Sequence, residues 1–347
     1  MLASLLISWL FRNSKLNQVT FRDALLFSTL TWVLVGLLGG IPIKLVTGVN
    51  FADATFESVS ALSTAGATIL SGLDNMPAAF LLYRQFLQWM GGLGVVIFVV
   101  AVLPMLNVGG MRLLKAETPG PIKDEKLSPR ISKTAHYLWG VYLVITLACA
   151  LAYYLAGMTA YDAIAHSFST VSTGGFSTHD ASMWYFQSHT LLMIANVFML
   201  LGAINFALHF RIFRIGWRGL KLYIDDEESR VFLIVVTCLS VMLGLYLYSE
   251  ARYETLWVSL SFAAFHVVSF ITSTGFGAAD LSTWPAATAL FLVFCAYLGG
   301  CSGSTAGGIK LFVTLLRLKS FVDNSINWCI RLRYYRFGIK IKWCRTM

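Results

Sequence analysis

Ser63-Thr64-Ala65-Gly66-Ala67, Ser172-Thr173-Gly174-Gly175-Phe176 and Thr272-Ser273-Thr274-Gly275-Phe276 are three copies of one pattern, and their aligned glycines lie 109 and 100 residues apart. The register extends upstream. Six residues before each glycine stands a serine (Ser60, Ser169, Ser269), nine before stands Glu57, His166 or His266, and thirteen before the first two stands Asp53 or Asp162. A single Ser/Thr-x-Gly match would carry little weight, but three in register define an internal repeat, the feature to settle before any other.

Each copy lies between two long apolar runs. Six such runs occur: Ala24 to Thr47, Phe80 to Asn107, Thr134 to Ala156, Thr190 to Phe213, Val231 to Ser249 and Ala286 to Leu316. Each is long enough to cross a hydrocarbon core of about 30 Å. Over the 347 residues, 57% are hydrophobic, only 12% are charged and the mean hydropathy is +0.70, so charge is too sparse to cover a soluble surface. The fold class read from this pattern is an all-α polytopic membrane protein. The six cysteines include no CxxC pair, and neither a zinc site nor a disulfide framework is indicated.

The net charge of +9 is a topology signal. Of 26 Lys and Arg, 23 fall in the N-terminal segment, the loops after spans two and four, and the stretch from Lys310 onward; only Lys44, Arg84 and Arg252 fall on the other side. The positive-inside rule places both termini and the basic loops in the cytoplasm, and nucleic acid is not the expected partner. No HExxH, no useful Ser-His dyad and no paired intramembrane carboxylates suggest an enzyme. Gly303 to Gly308 is followed by Ile309 where a Walker loop needs Lys, so phosphate binding is not expected either.

The outward segments are therefore the place to look for function. As a helix, Phe51 to Leu62 covers about 18 Å, too little to cross the membrane, and so is expected to enter from outside and stop partway. Non-helical backbone at that depth is tolerated only when packed in protein or lining a water-filled cavity. A helix pointing inward offers the negative end of its dipole to a cation, and glycine lets the following carbonyls turn to a common axis, where they can replace an alkali ion's hydration shell. The expected ion-binding residues are Thr64, Ala65 and Gly66, Thr173, Gly174 and Gly175, and Ser273, Thr274 and Gly275. Glu57, His166 and His266 are expected to hydrogen-bond behind these loops, with proton coupling as the alternative. Arg84, Gln85 and Gln88 are expected to anchor the second span to a neighbouring short helix or to headgroups. Asp225 to Glu228 reads as a solvated turn or a contact for a cytosolic partner.

From Phe21 to Lys319 the residues resemble the Trk/Ktr/HKT cation transporter superfamily. The resemblance rests on the three loops, on Tyr83-Arg84-Gln85-Phe86-Leu87-Gln88-Trp89-Met90-Gly91-Gly92, on Glu117-Thr118-Pro119-Gly120-Pro121, on Gly174 to Asp180, and on Gly299-Gly300-Cys301-Ser302-Gly303-Ser304-Thr305-Ala306-Gly307-Gly308. It implies a potassium-channel-like fold of fused helix, re-entrant pore loop, helix units, and K+ as the transported ion with no organic cofactor in this chain. Glycine at positions 66, 175 and 275 favours potassium over the sodium-permeable relatives. It further implies a gating loop built on Gly299, Gly300, Gly303, Gly307 and Gly308, a homodimer, and a cytosolic nucleotide- or NAD-binding regulatory subunit, all in a bacterial inner membrane.

The expected organisation is a remnant over 1–20, pore repeat 1 over 21–108, a cytoplasmic loop over 109–133, pore repeat 2 over 134–214, a loop over 215–230, pore repeat 3 over 231–319 and a basic tail over 320–347. The superfamily has four repeats, and only 72 residues follow Gly275 here. The expected function is Trk-type potassium uptake; the alternative is a truncated, transport-inactive chain lacking the fourth repeat.

Overall fold

The computed structural model describes residues 21–97 and 127–310. The segments 1–20 and 320–347, the Glu117-Thr118-Pro119-Gly120-Pro121 motif and the continuations of spans two and six lie outside the described residues.

Among the described residues all regular structure is helical. The first unit holds α1 (Phe21–Thr47), the short α2 (Phe51–Leu62) and α3 (Ala78–Ile97). The second holds α4 (Leu127–Leu155), the short α5 (Ala160–Val171), α6 (His189–Ala203) and α7 (Phe206–Ile215). The third holds α8 (Glu227–Ser249), α9 (Leu256–Ile271) and α10 (Ala286–Leu298). Stretches within α1, α4 and α8 are long and apolar enough to cross a membrane, and their large exposed side chains, such as Leu45, Leu147 and Met242, suit a lipid environment.

The short helices start on side-chain caps: Asn50, Thr159 and Thr255 accept from the backbone N–H of Asp53, Asp162 and Val258. Each packs on the first long helix of its own unit, α2 on α1, α5 on α4 and α9 on α8. Each unit is also joined to the next, because α3 packs on α5 and α6 packs on α9. The units thus follow one another around the glycine loops, which lie where the short helices end.

Close approach of these helices depends on missing side chains. On α1, Gly36 and Gly40 form a small-xxx-small face. A Cβ on Gly40 would stand 3.1 Å from the Ala54 carbonyl, and one on Gly36 would stand 2.8 Å from Val59 Cγ2. On α3, a Cβ at Gly91 would lie 1.7 Å from the Leu62 carbonyl oxygen, the last helical residue of α2.

The fourth apolar run departs from the sequence expectation. Thr190 to Phe213 is not one continuous helix: α6 and α7 meet at a bend of 102°. The physical cause is a local cap together with a long-range bond. Asn205 caps α7 by accepting from Ala207 N–H at 2.8 Å, and the Phe206 N–H leaves the helix to donate to the Gly303 carbonyl at 3.1 Å. The sixth run breaks after Leu298, as the glycine-rich sequence predicts.

Gly91→Val sets a side chain against immovable backbone and is expected to cost about 3 kcal/mol or more. Gly140→Ala, whose Cβ meets nothing within 4 Å, is the neutral control. Fluorescence size exclusion and thermal denaturation in detergent read the difference.

Candidate functional site

All three short helices end the same way. The residue after each C-cap has positive φ: Thr64 at 56°, Thr173 at 53° and Ser273 at 54°. Its N–H donates to the carbonyl three residues back (Ala61, Thr170, Phe270). The next N–H reaches five residues back, to Ser60, Ser169 and Ser269 at 3.0, 2.9 and 2.8 Å. This is a Schellman ending with a hydroxyl residue where glycine usually sits. One residue later the chain turns left-handed again at Gly66 (73°), Gly175 (76°) and Gly275 (84°). Two left-handed residues bracketing one of negative φ fold the loop sharply below each helix C-terminus.

The loops also meet one another. The Cβ position of Gly66 lies 2.2 Å from the Gly174 carbonyl oxygen and 3.4 Å from that of Thr274; that of Gly175 lies 1.8 Å from the same Thr274 oxygen. The carbonyls of positions 174 and 274 therefore sit between loops, in space that a side chain at 66 or 175 would fill. Around the Cβ position of Gly275 no atom of the described residues lies within 4 Å. The structure thus brings Gly66, Gly174 and Gly175, three of the nine expected ion-binding residues, close to one another and to Thr274, a fourth.

Behind the loops, side chains of the short helices hold the outgoing strands. Ser60 Oγ donates to the Ala67 carbonyl at 2.5 Å and Ser269 Oγ to that of Phe276 at 2.9 Å. Glu57 accepts from Thr68 Oγ1 and Ile69 N–H, His166 Nε2 pairs with Ser177 Oγ at 2.9 Å, and Ala278 N–H approaches His266 Nε2 at 3.4 Å. One register position thus does one job with different chemistry. Glu57 brings a charge into a fully buried place, and Arg84 of α3 compensates it: its Nε donates at 2.9 Å, its Nη2 joins the same carboxylate oxygen, and its guanidinium lies 4.3 Å over the Phe176 ring.

Arg84, Gln85 and Gln88 are each at most 1% exposed. They are buried in protein: Gln85 and Gln88 contact the Phe176 and Gly174 backbones of the second glycine loop, and Arg84 lies over the Phe176 ring. The α-helical period of α3 hinted at a shared face, but nothing in the sequence named the neighbouring unit's loop as the target.

The glycine-rich stretch after α10 folds back on itself. Gly300 N–H points to the Gly307 carbonyl at 3.4 Å, and a Cβ on Gly308 would strike Gly299 Cα at 2.4 Å. This hairpin docks on the α6–α7 break: Cys301 N–H donates to Ala203 O, and Thr305 N–H and Oγ1 both reach Gly202 O. It also touches the glycine loops. Thr173 Oγ1 lies 3.2 Å from Thr305 Oγ1, and Gly307 N–H donates to Ser273 Oγ at 2.6 Å. On its other side Ser302 N–H donates to Glu228 at 2.6 Å, so the acidic first turn of α8 contacts the hairpin.

The first and second units are also latched through the segment after each glycine loop. His179 Nδ1 lies 2.6 Å from Asp74, its ring stacks on Tyr185, and Asp180 accepts from Gly72 N–H at 2.9 Å. The His179 contact holds the Asp74 carboxyl below its ordinary 3.8. Among the described residues no three His, Cys, Asp or Glu side chains group as metal ligands; the donors that converge are backbone carbonyls.

An all-helical chain with several apolar helices and three repeated glycine loops is of the membrane transporter class in its fold. The TrkH family, described as "Cation transport protein", matches residues 3–327, and the chain belongs to it. The Trk system potassium uptake protein TrkH of Vibrio parahaemolyticus is 45% identical over 310 residues, covering 89% of this chain and 64% of that protein. TrkH of Halomonas elongata is 47% identical over 87% of this chain and 63% of its own length. The chain therefore spans somewhat less than two thirds of these relatives. The crystal structure of the potassium transporter TrkH from Vibrio parahaemolyticus superposes with a TM-score of 0.81 at 39% identity, over 96% of this chain and 67% of that one.

Arg84→Met leaves Glu57 buried without its counter-charge and is expected to cost about 3–5 kcal/mol, whereas Arg84→Met with Glu57→Gln recovers most of it. Thermal denaturation of the two variants in detergent checks this. For the latch of His179 on Asp74, Asp74 has a lowered folded pKa, so its contribution is complete above 3.8 and disappears as pH falls through the lowered value. An acid titration of stability should show that loss in the wild type and not in Asp74→Asn.

Proposed function

We propose that the chain takes part in potassium uptake through a carbonyl-lined filter formed by Thr64 to Gly66, Thr173 to Gly175 and Ser273 to Gly275. The observation that carries this reading is the thrice-repeated double left-handed turn, with the Gly174 and Thr274 carbonyls projecting between loops. Carbonyl dipoles in that arrangement can replace the hydration shell of an alkali cation, and three short-helix C-termini add a negative field. Glycine at all three aligned positions and the names of the relatives favour K+ over Na+ as cargo. The hairpin over Gly299, Gly300, Gly303, Gly307 and Gly308 is the proposed gate, since it lies against the filter hydroxyls of Thr173 and Ser273. The basic segments favour a cytoplasmic position for the termini, and a bacterial inner membrane is the proposed location. The cytoplasmic face is where a nucleotide-binding regulatory subunit of the Trk type would dock, and a homodimer is the proposed assembly.

A second reading is favoured by the open space beside Gly275: the three loops hold an ion site but conduct only when a further loop closes the ring. Rubidium uptake in cells lacking other potassium importers separates the two. Uptake by the intact chain that falls at least about tenfold in Gly175→Asp, where a carboxylate enters the space beside the Thr274 oxygen, supports transport. No uptake by the intact chain supports the second reading.

A further inference from the structure

The second glycine loop is held differently from the other two. Loops one and three are pinned by their own short helices through Ser60 and Ser269. Ser169 occupies the same register position and is fully buried, yet its Oγ has no hydrogen-bond partner among the described residues. The carbonyl it would serve, that of Phe176, accepts from Gln85 Nε2 at 3.3 Å, across the boundary from α3 of the first unit.

One turn further along α3, Gln88 makes the more telling contact. Its Nε2 donates to the Gly174 carbonyl at 2.8 Å, and its Oε1 accepts from Phe176 N–H at 3.2 Å. A single primary amide thus spans Gly175 and grips the peptide units on both sides of it, so neither can rotate without breaking a buried bond. A carboxamide offers a donor and an acceptor side by side without change of charge, which suits this pairing. The loop is shaped to receive it. A Cβ on Gly174 would lie 2.5 Å from Gln88 Cδ, while the aligned positions carry the side chains of Ala65 and Thr274. The glycine doublet unique to loop two is the imprint of the Gln88 amide.

We propose that Gln88, seconded by Gln85, is a positioning residue that sets cation selectivity by fixing the orientation of the Gly174 carbonyl and of the peptide after Gly175. The proposal deepens the transport reading and rests on it. Where discrimination between K+ and Na+ rests on cavity size, the carbonyls have to be held in place, and in loop two the holding group comes from the preceding unit. A carbonyl whose peptide is free to turn can close on the smaller ion.

The test uses the purified full chain in detergent with Gln88→Leu, Gln88→Glu and Gly174→Ala. Hydrogen exchange over residues 172–180 reports the clamp, and exchange over 272–280 reports the remaining fold. The ratio of K+ to Na+ concentrations giving equal thermal stabilisation reports selectivity. Gln88→Leu and Gly174→Ala are expected to speed exchange at Phe176 by about tenfold, the worth of one hydrogen bond, and to lower the K+ preference similarly, leaving 272–280 unchanged. Gln88→Glu retains the acceptor for Phe176 N–H and can donate to Gly174 only when protonated, so protection is expected to persist while selectivity falls as the pH is raised. Unchanged exchange at Phe176 in Gln88→Leu overturns the clamp. Unchanged K+ preference in a variant whose exchange has risen overturns the selectivity role. A wild-type chain that does not distinguish K+ from Na+ sinks the transport reading and the selectivity role with it, and the clamp is then decided by exchange alone.

Discussion

A backbone inside a hydrocarbon slab has to satisfy its own polar groups, and a loop that keeps carbonyls available for an ion departs from that rule. Everything around the three glycine loops answers this constraint. The N–H groups at each turn are absorbed by the Schellman bonds, and the outgoing carbonyls are taken by Ser60, Gln85 and Ser269. The left-handed conformation at Thr64, Thr173 and Ser273 costs about 1–2 kcal/mol each, and it persists because the surroundings leave no alternative. Thr173 and Ser273 hydroxyls donate to the preceding carbonyls at 2.7 Å, which binds the turn to itself.

The units are repeats in topology and individuals in chemistry. At one register position the first unit uses a carboxylate and the others use imidazoles, yet all three reach the same stretch of outgoing chain. The carboxylate draws in Arg84, and Arg84 then lies over Phe176, so the charge in unit one becomes part of the support of loop two. Support passes from one unit to the next because α3 packs on α5 and α6 packs on α9.

Below the loops, two interrupted helices depend on each other. The bend at Asn205 frees Phe206 N–H for Gly303 O, and the hairpin returns Cys301 and Thr305 N–H groups to Ala203 and Gly202. Neither break would be tolerable alone at that depth, since each supplies the partners that the other has lost. Through Thr305 and Gly307 the same hairpin hydrogen-bonds to the hydroxyls of Thr173 and Ser273, and through Ser302 it contacts Glu228. Motion of the hairpin would therefore be felt at the loops and at the acidic first turn of α8.

The sequence alone determined the helical membrane class, the three units, the short helix over 51–62 and the residues of the glycine loops, because these follow from local periodicity and from a repeat that comparison within one chain reveals. Serine hydroxyls six residues before each glycine were visible as a pattern, but their differing fates were not. The left-handed Thr64, Thr173 and Ser273 were hidden because a β-branched residue or serine gives no local sign of positive φ. The α6–α7 bend was hidden because the run from Thr190 to Phe213 is apolar enough to read as one span despite Asn196 and Asn205, and the partners that make a break at Asn205 favourable come from the returning hairpin. The partnership of Gln88 with Gly174 and Phe176 joins residues 86 and 88 positions apart. Tertiary structure alone decides such pairings, since a buried amide takes whichever backbone groups the packing of neighbouring units leaves unpaired.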